Sequence, residues 1–402
     1  MYLAILLTYL ISMSSYVASF TIPSFDDDAD PVVVLSQLQE LAISTLQNSS
    51  QTISQGCSLT DAAIRRDWEA LSREERKDYI QAVQCLISKE PISDPKWASA
   101  ARTRYDDFVA VHTNVTLAVH NTGNFFAWHR YHLWAFETAL RDECGYKGYQ
   151  PYWNWFSHRD NLLESPIFDG SDTSMGGDGE FFMHNGSLTD GGTLWLPSGN
   201  GGGCVKSGPF KDMQVNIGPT MPDMDGFVPV GGGSDVYNPH CLRRDLTSYV
   251  TKTWATTANL LNVTIGASSN TIRDFQLDIE GDISPDNIGF HLMGHAAMAA
   301  DGADLYTSPS DPVFYFHHSM IDRIWWLWQI FHPDEARKLF GTITMFNNPP
   351  SRNTTVDDPL DLKELYPHRP ISDLMAKGEN SPLLVGSMER LSGHLAGDGQ
   401  HR

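Results

Sequence analysis

The sequence predicts a mainly α-helical protein wrapped by long irregular loops. Three observations carry that expectation. Six stretches repeat apolar residues at helical spacing. Across residues 169–233 the composition turns to Gly, Ser, Asp and Pro. Hydrophobic residues make up 41% of the 402 and include 11 Trp, enough apolar material for a large packed core.

In chain order, residues 1–19 form a short apolar run ending at the small residues Ala18 and Ser19, a leader-like pattern without a basic start. The run is too short and too rich in Ser and Thr to span a membrane comfortably. With sequons at Asn48, Asn114, Asn185, Asn262 and Asn353, it points to a secreted glycoprotein, the vacuole being the alternative destination. Residues 61–88 read as amphipathic helix, with Ser72 as the N-cap of a second segment. Residues 94–111 look helical, and 125–142 form the clearest helix, which stops at Gly145. The runs Gly199-Asn-Gly-Gly-Gly203 and Gly231-Gly-Gly233 read as surface loop, because no strand leads in and no Gly-Lys-Ser/Thr follows to cradle phosphate. Helical texture returns at 242–260, 288–300 and 318–331, and the chain beyond Asn347 is rich in Pro, Asp and Asn.

Charge and cysteines narrow the classes. With 49 acidic against 28 basic residues the net charge is −21, which argues against nucleic acid and anionic membranes as partners. Five cysteines allow at most two internal disulfides. Proximity in sequence suggests Cys57 with Cys85 and Cys204 with Cys241, leaving Cys144 over. No Cys-x-x-Cys occurs, so a zinc ribbon or dithiol redox site has no support.

The histidines carry the chemical information. His112, His120 and His129 fall in one short stretch, His291 and His295 share a helix face at i, i+4, and His317-His318 stand one turn ahead of Asp322. Imidazoles without cysteine suit a borderline metal such as copper or zinc, at two sites. A di-iron carboxylate bundle would need Glu-x-x-His pairs, and a zinc protease His-Glu-x-x-His, whereas this chain reads His291-Leu-Met-Gly-His295. The remaining histidines, His132, His158, His184, His240, His332, His368, His394 and His401, read as ordinary hydrogen-bonded residues.

The stretch from His112 and His120 through Phe126-Ala-Trp-His129-Arg-Tyr-His-Leu-Trp-Ala-Phe-Glu137, with Pro151-Tyr-Trp-Asn-Trp155 behind it, resembles the first copper-binding half of the tyrosinase and catechol oxidase family of type-3 copper proteins. His291-Leu-Met-Gly-His295 and Ser308-Pro-Ser-Asp-Pro-Val-Phe-Tyr-Phe-His-His318-Ser-Met-Ile-Asp322-Arg-Ile-Trp-Trp326 resemble the second half. The likeness is greatest to short secreted fungal-type members. It implies a four-helix bundle holding a dicopper centre, in a catalytic domain over 20–375 followed by a tail, 376–402, with no lid domain. His112, His120 and His129 would bind one copper and His291, His295 and His318 the other. His317 would be a neighbour of the ligands, and Asp322 would orient a ligating imidazole. Phe314 resembles the aromatic residue above one copper, and Leu305 the residue at the pocket mouth.

Departures from the family pattern bear on function. Ala118 stands where many fungal members have a cysteine crosslinked to the second histidine, so no thioether is expected. Asn154 replaces the family's Asp. Members that hydroxylate monophenols often carry Asn after the first histidine of the second half, holding a water together with a Glu; here that residue is Leu292. Glu280 resembles that Glu, a solvated loop carboxylate being its alternative reading. The expected activity is thus oxidation of o-diphenols to o-quinones with O2 as co-substrate. Monophenol hydroxylation, o-aminophenol oxidation, reversible oxygen carriage and a structural dizinc role are the alternatives.

Overall fold

The computed structural model describes residues 25–48, 63–189, 194–231, 233–281 and 288–375. The expected leader, Cys57 and the 376–402 tail lie outside them. Nine α-helices occur among the described residues: α1 (Pro31–Asn48), α2 (Arg73–Ser88), α3 (Arg104–Val119), α4 (Phe125–Cys144), α5 (Ser248–Trp254), α6 (Thr257–Ile265), α7 (Ile272–Glu280), α8 (Gly289–Met298) and α9 (Val313–Phe331).

Helix starts follow local capping chemistry. Ser72 caps α2 as expected: its hydroxyl takes the Glu75 N–H while the Glu75 carboxylate takes that of Ser72. The residues just ahead make only the short 3-10 turn Trp68–Ala70. The helix expected over 94–111 instead begins at Arg104, because Thr103 and Asp106 form the same reciprocal box. Residues ahead of it are loop, with the N–H groups of Ile92 and Ser93 bonded to the Asp107 carboxylate. Thr256 caps α6 and divides the expected 242–260 segment in two. α4 ends at Gly145, whose φ of 76° is the left-handed turn glycine adopts without a steric penalty. α1 and α7 were not anticipated; α1 has no acidic first turn and no basic last turn to announce it.

α3 packs on α4, α4 on α9 and α9 on α8, with α2 and α1 backing α4 and α9 respectively. The interior is aromatic: Trp68, Trp128, Trp153, Trp155, Trp325 and Trp328 are all fully buried. A buried ion network ties the bundle. Arg65 reaches Glu137 (3.1 Å) and Asp322 (3.0 Å), and Arg130 on α4 reaches Asp322 on α9 (2.6 Å).

The Gly-rich stretch forms a loop layer stitched by two-stranded antiparallel ladders: β1 (Gly179–Phe181) with β4 (Gly202–Val205), β2 (Ser187–Thr189) with β3 (Leu194–Leu196), and β5 (Gln214–Ile217) with β6 (Tyr237–Cys241). The Cys204–Cys241 disulfide joins β4 to β6 as expected. Cys85, however, pairs with Cys144 rather than Cys57. The reason is tertiary: α2 and α4 lie side by side, which brings the two Cα atoms to 5.9 Å despite a sequence separation of 59. No described helix is long and apolar enough to cross a membrane.

Candidate metal centre

The helices deliver two sets of imidazoles to one buried place. His112 lies on α3, His120 is the residue that ends it, and His129 stands one turn into α4. His291 and His295 sit one turn apart on α8, and His317 and His318 on α9. The structure gathers His112, His120 and His129 into one group and His291, His295, His317 and His318 into another, with candidate ligand atoms within 4.8 Å of one another in each. The groups face each other. His129 stacks on His318 at 4.5 Å between ring centroids, and His120 lies 5.7 Å from His291.

Backbone carbonyls aim the rings. His112 Nδ1 donates to Tyr306 O (2.7 Å), His120 to Thr116 O (3.0 Å), His129 to Phe125 O (2.8 Å) and His295 to Gly302 O (2.7 Å). A carbonyl only accepts, so each bond fixes the proton on Nδ1 and leaves Nε2 with a bare lone pair. The Nε2 atoms of His112 and His129 are buried without any hydrogen-bond partner. His295 Nε2 lies 3.1 Å from the Nε2 atoms of both His291 and His318. Unpartnered and converging imidazole nitrogens are costly in a dry interior unless a cation accepts them. The donor set, all neutral nitrogen, fits two copper ions.

Electrostatics keep the ligands in the metal-binding form. Burial pushes all the imidazoles of both groups below their ordinary value; His120 and His295 fall to about 4. His132, behind the site and stacked on Trp128, falls to about 3 for the same reason. Unfolded histidine binds protons below about 6.5, and these folded ones do not until much lower. The metal-free protein is therefore expected to hold its melting temperature above that pH and to lose stability as pH falls from 6.5 through 4. A thermal-melt series of copper-free protein against pH checks this, and a flat profile down to pH 4 contradicts it.

Several neighbours were not legible in sequence. A Cβ on Gly294 would come within 2.2 Å of the His317 ring, so the glycine between the two α8 ligands is what admits α9 so closely. His317 Nε2 bonds the His291 carbonyl (3.0 Å). The chain reaches Gly302 through Ala299 and Ala300, both at positive φ, in a turn held by Asp301, which takes the Arg243 N–H and meets His240 Nε2 at 3.2 Å. Asp322 does not orient an imidazole. Its oxygens are occupied by Arg65 and Arg130, and for His112, His120, His129 and His295 the ring-orienting role falls to main-chain oxygens.

The pocket residues are placed as follows. Phe314 is fully buried, its ring 4.2 Å from His318 and 5.3 Å from His112, in contact with both halves. Leu292 and Leu305 are half-buried, Leu305 beside the Tyr306 carbonyl that holds His112. Glu280 is no loop carboxylate. It ends α7, and burial raises it to about 8 against the Asn121 and Gln276 hydrogen bonds that pull it down.

Comparisons with known proteins agree with this site. The family model described as the common central domain of tyrosinase matches residues 102–330, more than half of the chain. The chain is 40% identical over 321 residues to Tyrosinase P of Aspergillus terreus, spanning 78% of this chain and 88% of that one. It is 35% identical to N-acetyl-6-hydroxytryptophan oxidase of Emericella nidulans, over 80% of this chain and 91% of the relative. A polyphenol oxidase variant from Thermothelomyces thermophila superposes with a TM-score of 0.78 at 35% identity, covering 88% of this chain and 98% of that one. The two histidine triads, the helices that carry them and these matches agree: the chain belongs to the tyrosinase family of type-3 copper oxidases.

Proposed function

We propose that this protein is a secreted catechol oxidase, converting o-diphenols to o-quinones while O2 is reduced to water. The observation that carries this reading is Leu292. It follows His291 on α8 as a half-buried apolar side chain packed against the core, so it offers no polar atom to hold a water at that position. Glu280 does not replace it, since its two carboxylate oxygens already accept from Asn121 N (2.6 Å) and Gln276 Nε2 (2.7 Å).

His112, His120 and His129 would hold one copper and His291, His295 and His318 the other, and the bound pair would supply the redox chemistry for oxidising two diphenols, by two electrons and two protons each, per O2 reduced to water. The chain's own part is positional. The Nδ1 bonds of His112, His120, His129 and His295 fix those four tautomers before metal arrives, and neutral rings carry no protons that must be displaced. Phe314 closes the space between the triads with carbon and excludes water from it, while Leu292 and Leu305 flank the approach of the aromatic ring. The negative net charge favours neutral or cationic phenols over carboxylated ones. Secretion is supported by two disulfides in the described chain, which persist in oxidising compartments.

Monophenol hydroxylation is the second reading, favoured by the name of the Aspergillus terreus relative, with o-aminophenol oxidation as a variant. Oxygen consumption and quinone absorbance of copper-loaded protein on a catechol, its matching monophenol and an o-aminophenol separate them. Fast catechol turnover with a silent monophenol is the expected result. Leu292→Asn is then expected to raise monophenol hydroxylation by about tenfold, ~1.4 kcal/mol in barrier, with catechol oxidation little changed. Comparable rates on both phenols in the unaltered protein overturn the reading, as does inactivity on all three.

A further inference from the structure

Between His120 and α4 the chain reverses in four residues, and its geometry is demanding. His120 ends α3, Asn121 adopts a left-handed φ of 49°, and Thr122 is fully buried before Asn124 leads into α4. His120 is extended at the helix end, with ψ 140°, which turns the Asn121 N–H away from the helix ladder, so that donor needs an acceptor from elsewhere. Glu280 Oε1 supplies it at 2.6 Å. The other oxygen, Oε2, takes Gln276 Nε2 at 2.7 Å, and the same amide donates to Thr122 O at 2.9 Å. One turn of α7 thus grips two successive residues of the turn that follows His120, Asn121 by its N–H and Thr122 by its carbonyl, and Gly123 N is held from a third side by Thr342 O at 3.1 Å.

α7 is tied equally closely to the other triad. Gly281 follows Glu280 at φ 90°, Gly289 opens α8 at φ 67°, and the two lie back to back: a Cβ on Gly289 would stand 2.4 Å from both Gly281 N and Ile279 O. His291 lies two residues further on. Glu280 therefore stands where the end of α7 meets the turn after His120 on one side and the start of α8 on the other, and across that junction the His120 and His291 rings face each other at 5.7 Å.

We propose that Glu280 is a positioning residue that fixes the spacing between the two halves of the metal centre, by anchoring the Asn121 turn to the end of α7. The inference rests on the dicopper reading of the site but not on which phenol is oxidised. Glu280 bonds Asn121 N and Gln276 Nε2, and in this role it acts through the Asn121 peptide. Gln276 is the second strut of the same anchor.

The test compares full-length, copper-loaded protein with Glu280→Leu, Glu280→Gln and Gln276→Ala. Copper content is followed against increasing chelator, the metal–metal separation is measured by X-ray absorption, and the melting temperature of each copper-free form is recorded. Glu280→Leu is expected to lose one copper at a chelator concentration lower by on the order of tenfold, and to show a lengthened or scattered metal separation. Glu280→Gln keeps an acceptor for Asn121 N and is expected to restore both towards wild type. If the leucine variant does not fold, Gln276→Ala decides, with a smaller loss in the same direction. The proposal is overturned if the leucine variant, or Gln276→Ala in its place, holds both coppers at wild-type spacing, or if glutamine fails as completely as leucine. Wild-type protein that binds two coppers yet oxidises no diphenol removes the catechol oxidase reading and leaves this one standing.

Discussion

Alanine in place of His295 is expected to abolish diphenol oxidation and leave the chain with one copper instead of two. His295 is the pivot of its triad: its Nε2 sits 3.1 Å from those of both His291 and His318, while its Nδ1 is anchored on Gly302 O at 2.7 Å. Truncation leaves two imidazoles that cannot hold a borderline cation by themselves against solvent. Loss of an outer partner to a ligand typically costs 10- to 100-fold in affinity or activity, so loss of the ligand is expected to exceed about 100-fold. The His112 triad takes its ring anchors from Tyr306, Thr116 and Phe125, none of them on α8, and should keep its copper. Metal analysis beside oxygen consumption reads both effects. Two retained coppers with turnover within tenfold of wild type would falsify the assignment of His295 as a ligand.

Asp322→Ala is expected to be the most destabilising substitution away from the metal, at roughly 3–5 kcal/mol. The Asp322 carboxylate is 4% exposed and receives Arg65 at 3.0 Å and Arg130 at 2.6 Å, with both guanidinium groups as enclosed as itself. Removing it strands two cations in the interior. Arg65 keeps Glu137 at 3.1 Å, whereas Arg130 retains only neutral acceptors, chiefly the Leu374 carbonyl at 2.8 Å. The triads themselves are untouched, so copper content of whatever protein folds should stay at two per chain. Denaturant titration of the copper-free form measures the effect; a loss below about 1 kcal/mol would show that the network contributes little.

Much of the site could be read from the chain because its signals are local. His291 and His295 share a face by helical period alone, and Ser72 with Glu75 marks a helix start within four residues. What escaped was set by contacts between distant segments. Cys85 meets Cys144 because α2 lies on α4, and proximity in sequence pointed to Cys57 instead. The resemblance implied that Asp322 orients an imidazole, but two arginines from elsewhere, one of them 257 residues away, claim its oxygens. Glu280 read as resembling the family's water-holding Glu, with a loop carboxylate as the alternative; that it ends a short helix, 272–280, gripping Asn121 and Thr122 was not legible. Gly294 gave no sign of its role, since only the packed α9 shows what a methyl group there would strike.

The main-chain acceptors have a consequence for heredity. Side-chain partners that aim a ligand can be deleted by one missense change, but a carbonyl is encoded by every codon. Substitutions at Thr116, Phe125 and Tyr306 can alter bulk and polarity around the centre while the oxygen that aims each ring survives. Gly302 is the tighter case, where a new methyl group would stand 2.9 Å from Met298 Cβ, an atom rooted in the α8 backbone and unable to swing aside. The aim of the His112, His120 and His129 rings is thus buffered against genetic drift in their surroundings, so that the lining around them can change without loss of the oxygens that orient them.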